Sequence, residues 1–221
     1  MQACSAENYP MATHIPQSIL DSTDITQITQ LILRERTSRD LGDWERMRDC
    51  FHPDSIVRIS WFNGSGPDFV KGSIDMAKRG MLAKHRLGPI LVELAGDRAV
   101  ASLSGIIDIP QVINGVDLVL SAYGRFLYRV ERRDHVWRIY GFDCIYQRDE
   151  LTPAILGKSV TIDPEQVKDY RPSYRNLCYC LSLTGYTPNL DLPGEDKPET
   201  AQRLMAEINT WANFKNVRSE E

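Results

Sequence analysis

No basic tract and no long apolar run occurs in this chain. Its 221 residues carry 26 Lys and Arg against 30 Asp and Glu, a formal net charge of −4. Without a basic stripe there is no electrostatic footprint for nucleic-acid phosphates. A membrane helix needs about 20 apolar residues in succession, and none is present. The first residues lack a basic region followed by an apolar run, so a soluble, cytoplasmic protein is expected, with neither membrane nor nucleic acid as partner. Cysteine is sparse and odd in number: Cys4, Cys50, Cys144, Cys178 and Cys180. A chain of this size does not depend on disulfides, and free thiols in a reducing compartment are expected. Cys178 and Cys180 are close, but no second cysteine or histidine cluster stands beside them, which favours packing over metal binding. His14, His52, His85 and His135 have no ligand spacing either. Gly64-Ser65-Gly66 fits neither a phosphate loop nor a dinucleotide motif. No Gly-x-Ser-x-Gly elbow supports serine hydrolysis. The expectation is chemistry without metal or cofactor.

What is present is a hydrophobic content of 42 %, enough for a substantial core. Residues 1–21, with Pro10 and Pro16, read as an extended arm. Ser22-Thr23-Asp24 offers a cap for a helix in which Ile25, Ile28, Leu31, Ile32 and Glu35 recur at helical spacing. Gly42 is its stop, and Asp43 caps a short second helix bearing Trp44, Met47 and Phe51. His52-Pro53-Asp54 reads as a turn, residues 55–61 as a strand and 68–82 as a helix. Strands are expected over 89–94, 98–109, 116–132 and 136–148, with Gly96-Asp97 and Arg133-Asp134-His135 as turns. Helices followed by long antiparallel strands predict an α+β fold, a curved sheet closing over helices around an internal pocket. The domain is placed at residues 22–150. Residues 151–221 form an extension with helices expected at 174–183 and 198–214, fit to cover the pocket or widen a subunit interface.

His85 is the most chemically suggestive residue. Its ordinary pKa lies near neutrality, and it follows a helical stretch in Lys84-His85-Arg86-Leu87. Asp40 ends the first helix, where a carboxylate opposes the helix dipole. A carboxylate and an imidazole from separate elements can meet in a cavity as an oriented general base. A structural helix-end histidine is the plain alternative, and Asp43 rivals Asp40 as the acid. Asp108 lies opposite Ile107 and Ile109 on a strand, either inward beside substrate or outward before Pro110. Tyr123, Tyr128, Tyr140 and Tyr146 are strand aromatics, one of which could polarise an oxygen while most pack. Trp61 is a candidate apolar wall. Arg125 and Arg129 share a strand face and are expected at solvent or an interface.

Three stretches together resemble the NTF2-like superfamily and its SnoaL-like branch. They are RDLGDWERM with CFHPDSIVRI, then GSIDMAKRGMLAKHRLGPILVEL, then the final hairpin ending VWRIYGFDCIYQ. The resemblance covers the first 150 residues, and the extension matches nothing nameable. It implies a cone-shaped curved antiparallel sheet packed on N-terminal helices, in homodimers or homotrimers. The branch includes dehydratases, dehydrochlorinases, isomerases and polyketide cyclases, alongside members with no demonstrated activity. In members resembling scytalone dehydratase, bile-acid dehydratase and hexachlorocyclohexane dehydrochlorinase, an aspartate–histidine pair lies in the pocket, and Asp40 and His85 occupy the matching positions. The last strand usually lines the pocket in such members, which implies Tyr140 and Asp143 as candidate substrate contacts. Dehydratase-like members often place a tyrosine one helical turn before the aspartate; here that region is Arg34-Glu35-Arg36.

The expected function is a cofactor-independent lyase, a dehydratase acting on a hydrophobic cyclic or polyketide-like molecule. Isomerisation or cyclisation by the same base is the near alternative. A noncatalytic small-molecule-binding or assembly protein is the distant one. Trp211 and Phe214 discriminate within the extension: exposure favours a partner surface, burial across the cone mouth a lid.

Overall fold

The computed structural model describes residues 16–214. The first helix, α1, runs from Gln17 to Leu41, five residues earlier than the Ser22 cap predicts. The reason lies in the hydroxyls. Ser22 and Thr26 donate backward to the Ser18 and Ser22 carbonyls at 2.7 and 2.8 Å, so they serve the helix interior rather than its end. Pro16 precedes the first turn instead, with its ring-fixed φ. Of the predicted arm, residues 1–15 lie outside the described residues. Gly42 ends α1 with φ of 76°, a conformation that favours glycine. Helix α2, Trp44–Arg48, is capped by Asp43, which accepts from the Arg46 N–H at 3.2 Å.

Strand β1 spans Phe51–Ile59 and so contains His52-Pro53-Asp54, predicted as a turn. Its pairing is irregular between Phe51 and Ile56, where Pro53 has no N–H to donate. Strand β2, Phe62–Ser65, leads into helix α3, Gly66–Lys78. A Cβ on Gly66 would sit 2.3 Å from the Ser55 Oγ and 2.6 Å from the Phe51 ring, so only glycine lets α3 start this close to β1. Helix α3 stops short of the predicted residue 82 because Gly80 turns the chain with φ of 79°. That frees Lys84–Leu87 to form an edge strand, β3, which carries His85.

Strands β4 (Leu91–Ala95), β5 (Arg98–Ile113), β6 (Val116–Arg133) and β7 (Val136–Pro153) complete the sheet. The order is β2-β1-β7-β6-β5-β3, with β4 also on β5. Every pairing is antiparallel except β1 with β7. This mixed α+β architecture is a curved, unclosed sheet with the N-terminal helices on its inner face. Asp24 pins α1 there by accepting from the Arg132 guanidinium and from Trp137 Nε1 at 2.9 Å.

The extension sends one helix to each side of the sheet. Helix α4, Arg175–Leu183, joins the main core through Leu177, Cys178, Cys180 and Leu181. Asp149 at the end of β7 anchors its first turn, accepting from the Leu177 N–H at 2.7 Å and Asn176 Nδ2 at 2.9 Å. Helix α5, Pro198–Ala212, packs Leu204, Ile208 and Ala212 on Val100, Leu127 and Ile145 of the outer face. Cys50, Cys144, Cys178 and Cys180 are free and buried. No helix among the described residues is long and apolar enough to cross a membrane.

Candidate functional site

Strand alternation on the inner face points Phe126 on β6 and Phe142, Cys144 and Tyr146 on β7 into one cavity. Trp61 and Phe69 close one side, and α4 contributes Leu177, Cys180 and Leu181 to another. The space unfilled by atoms is about 700 Å³, including the part open to solvent. Its walls are mostly apolar, and His85, Arg36 and Arg39 are the basic side chains on them.

His85 reaches the cavity because β3 pairs with β5, setting His85 opposite Ile107. Its ring Nδ1 lies 2.6 Å from Asp40 Oδ1, and its backbone N–H donates to Asp40 Oδ2 at 2.8 Å. One carboxylate at the end of α1 thus holds both the ring and the strand that carries it. The Lys84 ammonium donates to the Asp40 carbonyl and ties the same two elements. This network assigns the Nδ1 proton to the Asp40 bond and leaves a lone pair on Nε2. Nε2 faces Arg36 Nη1 at 3.4 Å.

The His85 side chain is only 3 % exposed. Burial, and then the positive charges of Arg36 and Arg39, lower its pKa to about 4 against the upward pull of Asp40. The imidazole is therefore neutral at neutral pH. Burial pushes the Asp40 carboxyl up, but the hydrogen bonds from the His85 ring and backbone and the charge of Arg36 oppose it, and the group is held below the usual carboxylate value.

Arg36 extends the buried stripe of α1 beyond Ile28, Leu31, Ile32 and Glu35, and Arg39, half-buried, follows it at the cavity wall. Arg36 forms a bidentate pair with the fully buried Glu35, and its guanidinium lies 4.9 Å from the Phe142 ring centroid. Burial works against the Arg36 charge, yet Glu35 carries the net shift upward. Neither arginine was singled out from sequence as a cavity residue. The signal was there: Arg36 and Arg39 fall at positions 8 and 11 from Ile28, in phase with the apolar stripe.

Of the other candidates, Trp61 lines the cavity, its ring tilted on Phe69 at 5.4 Å. Asp108, Tyr140 and Asp143 do not. Asp108 points away from the cavity, accepting from Arg86 Nε at 2.7 Å and Ser121 Oγ at 2.7 Å. Asp143 is buried on the outer face between Arg58 Nε at 2.6 Å and Arg129 Nη2 at 3.2 Å. Tyr140 stacks on Trp211 of α5 with ring centroids 5.5 Å apart. A bulge explains this. Arg129 pairs with Gly141 and Val130 with Ile139, so Tyr140 is the extra residue and turns outward. Arg129 itself is buried under α5, bonded to Glu207 as well as Asp143, whereas Arg125 is exposed. Trp211 lies on that outer face too, so α5 is no lid; α4 is the part of the extension that meets the cavity.

Residues 21–143 match the model of the SnoaL-like domain, and the chain belongs to that family. An uncharacterized protein of Emericella nidulans is 31 % identical over 71 % of this chain and 69 % of its own. Pea pathogenicity protein 2 of Fusarium vanettenii is 27 % identical over 77 % of each chain. Among solved structures, a candidate scytalone dehydratase of Novosphingobium aromaticivorans superposes with a TM-score of 0.52 at 14 % identity, over 65 % of this chain and 99 % of that one. A hexachlorocyclohexane dehydrochlorinase of type 2 gives 0.50 at 18 % identity, over 66 % and 97 %. At those identities the likeness is one of fold.

Proposed function

We propose that this protein is a cofactor-independent lyase, a dehydratase, in which His85 is the general base and Asp40 its orienting partner. The observation that carries the reading is a neutral, nearly buried imidazole, locked by one carboxylate, at the wall of a mostly apolar cavity with Nε2 beside Arg36 Nη1. The substrate class is a hydrophobic cyclic or polyketide-like β-hydroxy carbonyl compound. His85 Nε2 takes the proton from the carbon beside the carbonyl. The C–H electron pair becomes the new C=C bond as the C–O bond to the hydroxyl breaks. The departing hydroxide takes the proton back from the imidazolium, giving water and neutral His85. Asp40 stabilises the imidazolium in between, and Arg36, already beside Nε2, donates to the carbonyl oxygen as negative charge builds there. The solved dehydratase-type and dehydrochlorinase structures share the fold, and the fold alone selects no reaction.

The test is a panel of cyclic β-hydroxyketones, followed by enone absorbance and by loss of one water in the mass spectrum. His85→Asn is expected to lower turnover by about 10²–10⁴-fold with the fold intact, the usual weight of a general base. Full turnover by His85→Asn would end the proposal. Product of unchanged mass would move the reaction to isomerisation or cyclisation by the same base.

A further inference from the structure

We infer that the cavity is built for a substrate bearing a negatively charged oxygen group, a carboxylate or comparably acidic phenol, with Arg39 as its counter-ion. This rests on the reading of the cavity as a small-molecule site, but not on proton transfer at His85.

Arg36, Arg129 and Arg171 are all buried, and each holds a carboxylate: Glu35, Asp143 and Asp196. Arg39 lines the cavity and pairs with no carboxylate among the described residues. The two acids beside it are committed elsewhere, Glu35 to Arg36 and Asp40 to His85. Its Nε is shut away from solvent without a hydrogen-bond partner. Among the described residues its one polar side-chain contact is Nη2 donating to the Met76 thioether at 3.7 Å, a weak acceptor that an anion displaces. The rest of its surroundings is aromatic, with the Trp61 and Phe69 ring centroids both 5.7 Å from the guanidinium carbon.

Arg39 is half-buried, so its charge is partly hydrated, but its enclosed Nε and aromatic surroundings leave part of the guanidinium desolvated and without a partner. Burial, and then the Arg36 charge, pull Arg39 down to about 10, still high enough to keep it charged at neutral pH. An apolar body with one anionic group satisfies both features of the site. The rings rest on Trp61 and Phe69, and the oxygens accept from Arg39. Such an anion also offsets one of the charges that depress His85, making Nε2 a stronger base when the substrate is in place.

The experiment uses matched acids and amides: benzoate against benzamide, and 2-naphthoate against 2-naphthamide. Binding is measured by titration calorimetry on the full chain and on Arg39→Met. We expect one acid to bind about tenfold or more tighter than its amide, the size of one charge-assisted hydrogen bond. In Arg39→Met the acid falls to the affinity of the amide while the amide is little changed. Equal binding of acid and amide to the native chain overturns the inference, as does a preference that survives in Arg39→Met. If none of the four compounds binds, both the inference and the small-molecule reading of the cavity fall. The preference for acid over amide is a binding property, so it stands even where His85→Asn leaves turnover untouched. Thermal unfolding without ligand gives a second readout. Replacing an unpaired cation by an apolar side chain of similar reach should leave Tm equal or raise it by about 2–4 °C. A drop of that size would make Arg39 a structural residue and overturn the assignment.

Discussion

The two faces of the sheet use the same side-chain chemistry and finish it differently. On the outer face, Arg58 and Arg129 enclose Asp143, and both reach Glu207 of α5. The carboxylates there all have arginine partners, and α5 covers them. On the inner face, Arg36 has Glu35, His85 has Asp40, and Arg39 has only a thioether. Arg129 Nε is also buried without a partner, so one unmatched nitrogen does not mark a site; the inner face differs in holding a guanidinium with no carboxylate among the described residues. Burial of charge alone therefore does not locate a site. Asp143, the most buried of the candidate acids, belongs to the scaffold.

The largest expected break in this contrast is Asp143→Ala. It strands Arg129 and Arg58 without their shared carboxylate and should reduce unfolding stability by about 3 kcal/mol, measured in urea. A loss below about 1 kcal/mol would mean that the outer network is not structural.

Acid sharpens the contrast from the inner side. His85 in the fold has its pKa lowered from 6.5 to about 4. The unfolded chain therefore binds the proton first as pH falls. The stability contribution is present above pH 6.5 and is lost progressively down to about pH 4. The urea midpoint should fall between pH 7 and 4.5, and His85→Asn should fall less. Equal slopes for the two proteins would show that the imidazole is not held neutral.

The smallest effect is expected from Trp211→Ala. It removes the stack on Tyr140, at about 1 kcal/mol, and should speed amide exchange in α5 while leaving α4 unchanged. Matching acceleration in α4 would mean that the two halves of the extension move as one.

Much of this was legible in the sequence. The amphipathic stripe of α1, the Gly42 stop, the Asp43 cap and the β6–β7 hairpin follow from spacing and turn chemistry. So did the opportunity for Asp40 to meet His85. The facing of the last strand was not legible, for a physical reason. Residues 141–146 are buried on both sides, one under the cavity and one under α5, so the period-two signal disappears there. The bulge at Tyr140 then reverses the parity without leaving a mark in composition. Arg39 was hidden by the habit of reading arginine as solvated, although its phase on α1 placed it inside.

The parallel pairing of β1 with β7 gives the fold an order of assembly. Asp134 and His135, both with positive φ, close the β6–β7 hairpin locally. Strand β1 finds its register, Val57 beside Phe142, only across a long loop that contains most of the sheet. Closing that loop has an entropic cost, offset only once the hairpin offers an edge. The helix that carries Asp40 is joined to β1 through the short α2, so the partner of His85 lies on the same stretch of chain that this closure must bring back to the sheet.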